Sequence, residues 1–248
     1  MAKKIPKIVK EIINNPPQEV DYSYQKNISY SQISMFNQCP YKWKLHYKDK
    51  ISQRDTSIYL VFGIAVHEVI QEYLTVFYEQ SKVKANEIDL NSKFQERFTD
   101  AYKMQYKQNN NLHFSSAEEM REFFEDGVAI LEFFKKRVSQ YFSKRNTYLV
   151  GIELPIINTP NKMLNNILFK GMLDIVLYNE VLDEFTIIDI KTSTRGWHSK
   201  MKKDEHKQFQ LILYKQYFST LYNIPLEKIN FKFFIVKRKL WEESDWAQ

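Results

Sequence analysis

Asp189 and Lys191 stand one residue apart in TIIDIKT, residues 186–192. In an extended strand, residues i and i+2 project from one face, so the carboxylate and the amine point together while Ile188 and Ile190 point the other way. An acid and an amine on so apolar a strand admit two readings, a surface ion pair or a pair kept together for chemistry. Just upstream, NILFKGMLDIVLY (166–178) carries Asp174 in a second apolar run. A short polar stretch joins the two, and an antiparallel hairpin is the simplest connection. A turn centred between Val181 and Leu182 sets Asp174 opposite Asp189. Two carboxylates that close repel unless a cation sits between them. Oxygen ligands suit Mg2+ or Mn2+ rather than zinc. The spacing therefore points to metal-assisted chemistry, with Lys191 as neighbour of the ion.

Other residues have the chemistry to join them. His67 follows Gly63 by four residues in FGIAVHEVI, so both lie on one helical face. Gly63 allows that helix to approach another backbone, and His67 offers a neutral nitrogen to a metal; a core histidine is the plainer reading. Gln210 and Tyr214 share a face of a later helix by the same spacing, as site lining or as part of an ordinary amphipathic helix. Glu153, in GIELPII, is either a site acid or a strand-edge residue. TSTRGWHSKMKKDEHK follows the lysine strand directly. There Arg195, Lys200, Lys202, Lys203 and Lys207 could neutralise phosphates and Trp197 could stack on a base, against the alternative of a solvated basic loop.

The elements that must position these groups follow from periodicity. Pro16-Pro17 stops any helix begun over 8–13. Ser31 is a candidate cap for a short helix and Pro40 opens the next. Leu60, Ile64, His67, Ile70, Leu74 and Phe77 mark one helical face. Helices over about 91–107 and 116–143 follow, the second capped by Ser115 or Ser116; their phenylalanines, including Phe94, Phe98, Phe123 and Phe134, read as core. From Tyr148 the pattern turns to β-branched and aromatic runs. The order is helices, three strands, helix, strand.

Composition bounds the rest. The 248 residues carry a net charge of +6, with 44% hydrophobic and 27% charged residues, compatible with one large α/β domain and a polyanionic partner. A single cysteine, Cys39, excludes a disulfide framework within this sequence and a four-cysteine metal or cluster site; it reads as a small buried core residue. No run of about 18 apolar residues suggests a transmembrane helix, and the N-terminal segment does not read as a signal peptide. The expectation is a cytoplasmic protein with no membrane role. No GxxxxGK[ST] motif occurs, so ATP-driven unwinding would come from a partner.

In order, GIAVH (63–67), IEL (152–154), GMLD (171–174), DIK (189–191) and QLILY (210–214) resemble the PD-(D/E)XK nuclease superfamily, and within it the RecB-like branch of recombination nucleases and CRISPR-associated exonucleases. The resemblance extends from about Ser29 to Val236. It implies a restriction-endonuclease-like α/β fold, a mixed central sheet flanked by helices with an N-terminal helical extension. The expected organisation is a basic arm over 1–27, a helical part over 28–145 and a nuclease core over 146–248, integrated as one domain from 28 to 248. By the same resemblance His67, Asp174, Asp189 and the Ile190 carbonyl would bind Mg2+, or Mn2+ in its place. Lys191 would activate water and stabilise the transition state, Glu153 would orient or assist a metal, and Gln210 and Tyr214 would contact nucleic acid or Lys191. Cys39-Pro40 matches the first part of an iron–sulfur motif whose other cysteines this sequence lacks, so no cluster is expected. The implied function is hydrolysis of DNA phosphodiester bonds, as an exonuclease on an end or single strand in recombination, repair or phage DNA metabolism. The alternatives are a structure-specific endonuclease, or a non-catalytic DNA-binding subunit working with a helicase or recombination partner.

Overall fold

The computed structural model describes residues 4–17, 26–51, 56–158, 167–194, 196–197 and 205–239. The elements run α1 Lys7–Asn14, β1 Asn27–Ile28, α2 Tyr30–Gln38, α3 Pro40–Trp43 with a π-helical turn over Lys44–Lys48, α4 Ile58–Glu79, α5 Lys82–Asn86, α6 Leu90–Gln108, α7 Ala117–Tyr141, β2 Thr147–Asn158, β3 Leu168–Asn179, β4 Glu184–Ser193, α8 Glu205–Tyr222 and β5 Ile229–Lys237. The expected order is present, with the two-residue β1 added. The sheet runs β1-β3-β4-β5, and β2 also pairs with β3. β1 is parallel to β3 and β4 antiparallel to it, so the five-stranded sheet is mixed, as a restriction-endonuclease-like fold requires.

Two compact units divide the chain: Met1–Gln53, Tyr148–Asp189 and Ser199–Lys232 form the first, and Arg54–Thr147, Ile190–His198 and Phe233–Gln248 the second. In the first unit, α8 packs on the sheet through aromatic rings. Tyr217 stacks on Phe169 with centroids 4.1 Å apart, and Phe218 meets Phe185 edge-on at 5.5 Å. Val9 and Ile12 of α1 are buried, and the helix ends before Pro16, as proline geometry dictates. Ser29, not Ser31, caps α2: its Oγ accepts from the Gln32 N–H at 3.4 Å. Pro40 does open α3. Cys39 is exposed, contrary to its reading as a core residue. It sits at the joint between two helices, where its Sγ accepts from the Lys42 N–H at 3.4 Å, so its side chain is turned to the helix end and not into the core.

The second unit is built round α4, which packs against α5, α6 and α7. Ser57, Asp89 and Ser116 cap α4, α6 and α7 with side-chain oxygens, satisfying N–H groups that have no partner within the helix. Three packing partners widen the buried face of α4 beyond a single stripe: Val61, Phe62, Ala65, Val66, Val69, Ile70, Tyr73, Leu74 and Phe77 are all buried. Leu60, expected on that face, is exposed instead. α4 is the described helix long and apolar enough to cross a membrane by composition, and more than half of its most apolar window is buried in the protein. Phe62 meets Phe94 and Phe123 edge-on, each buried ring worth roughly 1.5–3 kcal/mol. At the far end of α7, Phe134, Tyr141 and Phe142 surround Phe234 of β5. That contact ties the helical layer to the strand end that this unit contains.

Candidate metal centre

The hairpin of β3 and β4 fixes the two aspartates. Ile175 pairs with Ile188 and Asn179 with Glu184, a register centred between Val181 and Leu182, where the sequence places the turn. Local chemistry sets that turn. Asn179 Oδ1 accepts from the N–H groups of Val181 and Leu182 at 3.0 and 3.1 Å, and Asp183 takes a left-handed φ of 54°. Beyond the Ile175–Ile188 pair, the next residue on each strand is Asp174 on β3 and Asp189 on β4. Asp189 is 2% exposed and Asp174 half-buried.

The third acid comes from β2, which pairs with β3. One carboxylate oxygen of Glu153 lies within 4.8 Å of one from Asp174. Glu153 also has a φ of +47° inside its strand, a left-handed conformation that costs an L-residue with a Cβ about 1–2 kcal/mol. Strain of this kind concentrates at functional sites. Three adjacent strands of the first unit thus each deliver one carboxylate. These three acids offer hard oxygens, which fits Mg2+ or Mn2+; an ion bonded at about 2.1 Å to two oxygens leaves them at most about 4.2 Å apart, a small side-chain adjustment from the spacing between Glu153 and Asp174.

Tyr214 reports on the same cluster. Burial pushes its hydroxyl up to about 12; the negative charges of Asp189, Asp174 and Glu153 add to the rise and the bond from Gln210 opposes it. The phenol is therefore a protonated donor at neutral pH. Gln210 Nε2 donates to the Tyr214 oxygen at 3.1 Å, the i,i+4 relation expected on α8. Gly171 makes room for the ring, since a Cβ there would lie 2.8 Å from Tyr214 Cε1. Gln210 and Tyr214 therefore stand as a bonded pair, with Tyr214 in the field of the acids.

In the second unit, β4 continues through Ile190, which is buried, to the half-buried Lys191. Lys191 follows Asp189 by two residues on one strand, as the period-two reading requires. His67 is half-buried on α4, with Gln71 Nε2 3.4 Å from its Nε2. Gly63, one turn earlier, would carry a Cβ only 3.0 Å from Thr192 Oγ1. The close approach that Gly63 permits is thus to a side chain of the lysine strand rather than to a backbone. Trp197 is buried, with its ring 4.8 Å from that of Phe233; a buried indole offers no open face to a base. Arg195, Lys200, Lys202 and Lys203 lie outside the described residues.

Two features escaped the sequence reading. The strain at Glu153 has no signal in GIELPII, because the run alternates like any strand. The second is the anchoring of Arg238, just past β5. Its Nη2 lies 3.1 Å from Glu122 Oε1 and its Nε 3.2 Å from Asp126 Oδ2, and its backbone N–H donates to the Ser193 carbonyl at 2.9 Å. An arginine in a basic tail gives no hint that acids two turns into a distant helix will hold it.

Compared with known proteins, residues 27–240 match the family model of the PD-(D/E)XK nuclease superfamily. No curated protein matches the chain.

Proposed function

Because the chain belongs to the PD-(D/E)XK nuclease superfamily, whose nucleases use divalent metals, we propose that it is a Mg2+-dependent exonuclease hydrolysing DNA phosphodiester bonds, of the RecB-like kind. The observation that carries this reading is the set of carboxylates on three adjacent strands, with a lysine two residues beyond the buried one. When bound, a divalent cation supplies Lewis-acid polarisation of a phosphate oxygen and an acidified water.

The chain's own residues supply the rest. Glu153, Asp174 and Asp189 hold the positive charge, with His67 and the Ile190 carbonyl proposed as further ligands on the family pattern. The Lys191 ammonium orients the attacking water and offsets charge on the phosphate oxygens as the bond to the leaving oxygen breaks. Tyr214, protonated and braced by Gln210, donates a hydrogen bond to the bound strand or accepts one from the Lys191 ammonium. The net charge of +6 favours encounter with a polyanion. Such an enzyme acts in the cytoplasm on an end or single strand during recombination, repair or phage DNA metabolism, alone or beside a helicase.

The test is digestion of end-labelled linear DNA and covalently closed circular DNA with Mg2+, beside EDTA and Lys191→Ala controls. Stepwise loss from one end of the linear substrate, with the circle spared and both controls inert, is the expected result. Cutting of the circle would make the protein an endonuclease. No cleavage with Mg2+ or Mn2+ by folded protein would overturn the enzymatic reading.

A further inference from the structure

The second unit contains a cavity of about 260 Å³ lined by Tyr59 and Phe62 of α4, by Thr192, Ser193 and Thr194 at the end of β4, and by Arg238. Its walls are of three chemical kinds. The aromatic side is Phe62, buried, and Tyr59, 52% exposed; Phe123 braces both rings nearly perpendicular, at 5.7 and 4.9 Å. The polar side is a run of three hydroxyls, each able to donate and to accept. The charged member, Arg238, is 9% exposed and already balanced by Glu122 and Asp126, with its guanidinium 4.2 Å from the centroid of Phe123.

That balance selects the ligand. Among the described lining residues the positive charge is that of Arg238, and with Lys239 it is balanced by Glu122 and Asp126, so the cavity is poorly made for a free anion. An aromatic wall beside versatile hydroxyls suits a flat, uncharged ring with hydrogen-bonding edges. A nucleobase is such a ring, and stacking makes any base acceptable. A space of this size admits a single base out of its stack, as in a single strand or a frayed end. The placement agrees: Thr192 directly follows Lys191 on β4, and Tyr59 precedes His67 by eight residues of α4, about 12 Å of helix. Resting on the nuclease reading, we propose that this cavity is a nucleobase subsite, holding one unstacked base of the DNA strand whose backbone is cut.

Ligand-observed NMR in EDTA tests it, with dAMP, dTMP and deoxyribose 5-phosphate as probes, so that no metal and no cleavage enter. Both nucleotides are expected to bind at least tenfold more tightly than the sugar phosphate. Tyr59→Ala is expected to weaken them about fivefold or more, the loss of one stacking contact of about 1 kcal/mol, and Thr194→Val to weaken them as well. Both positions are exposed, so folding is preserved and is checked by the unfolding midpoint. Equal binding of the sugar phosphate, affinity unchanged in both variants, or no nucleotide binding at millimolar concentration would overturn the proposal. Inert protein that still binds bases would sink the nuclease reading and leave the subsite standing; cleavage without base binding would do the reverse.

Discussion

Glu153 allows a prediction in which the sign is the test. At φ +47°, a residue with a Cβ pays about 1–2 kcal/mol for the left-handed conformation. Glycine pays nothing there, but loses about 0.5–1 kcal/mol more than alanine through the entropy of the unfolded chain. Glu153→Ala and Glu153→Gly both delete the carboxylate, so its electrostatic effect cancels in the comparison. What remains is strain less entropy, which puts the glycine variant ahead by about 0.5–1 kcal/mol. At any ordinary strand position alanine leads by a similar amount, so the reversal spans about 1–2 kcal/mol. For a chain of this size, 1 kcal/mol moves the midpoint by roughly 2–4 °C. The assay is thermal unfolding of both variants in EDTA, followed by circular dichroism. An alanine variant as stable as the glycine variant, or more so, would refute the claim that β2 is strained at Glu153. Both variants should lose metal-dependent cleavage alike, since both lack the carboxylate proposed to hold the ion.

Three further outcomes follow from the packing and the charges. Mg2+ or Mn2+ at about 100 times its dissociation constant should stabilise the wild type by about 2.7 kcal/mol, seen as a raised midpoint; Asp174→Asn should lose most of that gain, and an undiminished gain would remove Asp174 from the ligand set. Gly127→Ala should cost about 1–3 kcal/mol in urea unfolding, because its Cβ would lie 2.2 Å from the buried ring of Phe94, outweighing the better helix propensity of alanine. Burial pushes the Tyr73 hydroxyl up to about 12 from an ordinary 10.0. Native Tyr73 thus holds its proton where the unfolded chain has lost it, and its contribution to stability, complete below pH 10, falls as pH rises toward 12. Stability measured from pH 9 to 12 should fall by about 2 kcal/mol less in Tyr73→Phe than in the wild type; parallel curves would contradict it.

The hairpin was legible in the sequence because its determinants are local. A polar turn between two β-branched runs fixes a register, and a period of two fixes which residues share a face. Asp174, Asp189 and Lys191 could therefore be assigned to neighbouring positions before any fold was known. The same holds for α6 and α7, whose starts carry side-chain caps and whose phenylalanines repeat at helical spacing, and for the Gln210–Tyr214 pair one turn apart on α8. Cys39 and Leu60 were misread because burial depends on what packs against an element. Cys39 caps a joint where it is exposed, and α4 meets helices whose directions its own periodicity does not encode.

Only the tertiary structure decided what long-range pairing brings together. Glu153 joins the acids because β2 pairs with β3, and its left-handed φ is not a preference of glutamate. Arg238 becomes nearly buried because Glu122 and Asp126, more than a hundred residues earlier, wait for it on α7. The cavity beside it exists because the ends of β4 and β5 and the start of α4 converge, and no window of the sequence contains all three. The sequence by itself determined which side chains are candidates for the chemistry, since residue type and spacing on one strand are local properties. The tertiary structure determined which of them meet and what holds them there, since a contact between distant segments is a property of the whole fold.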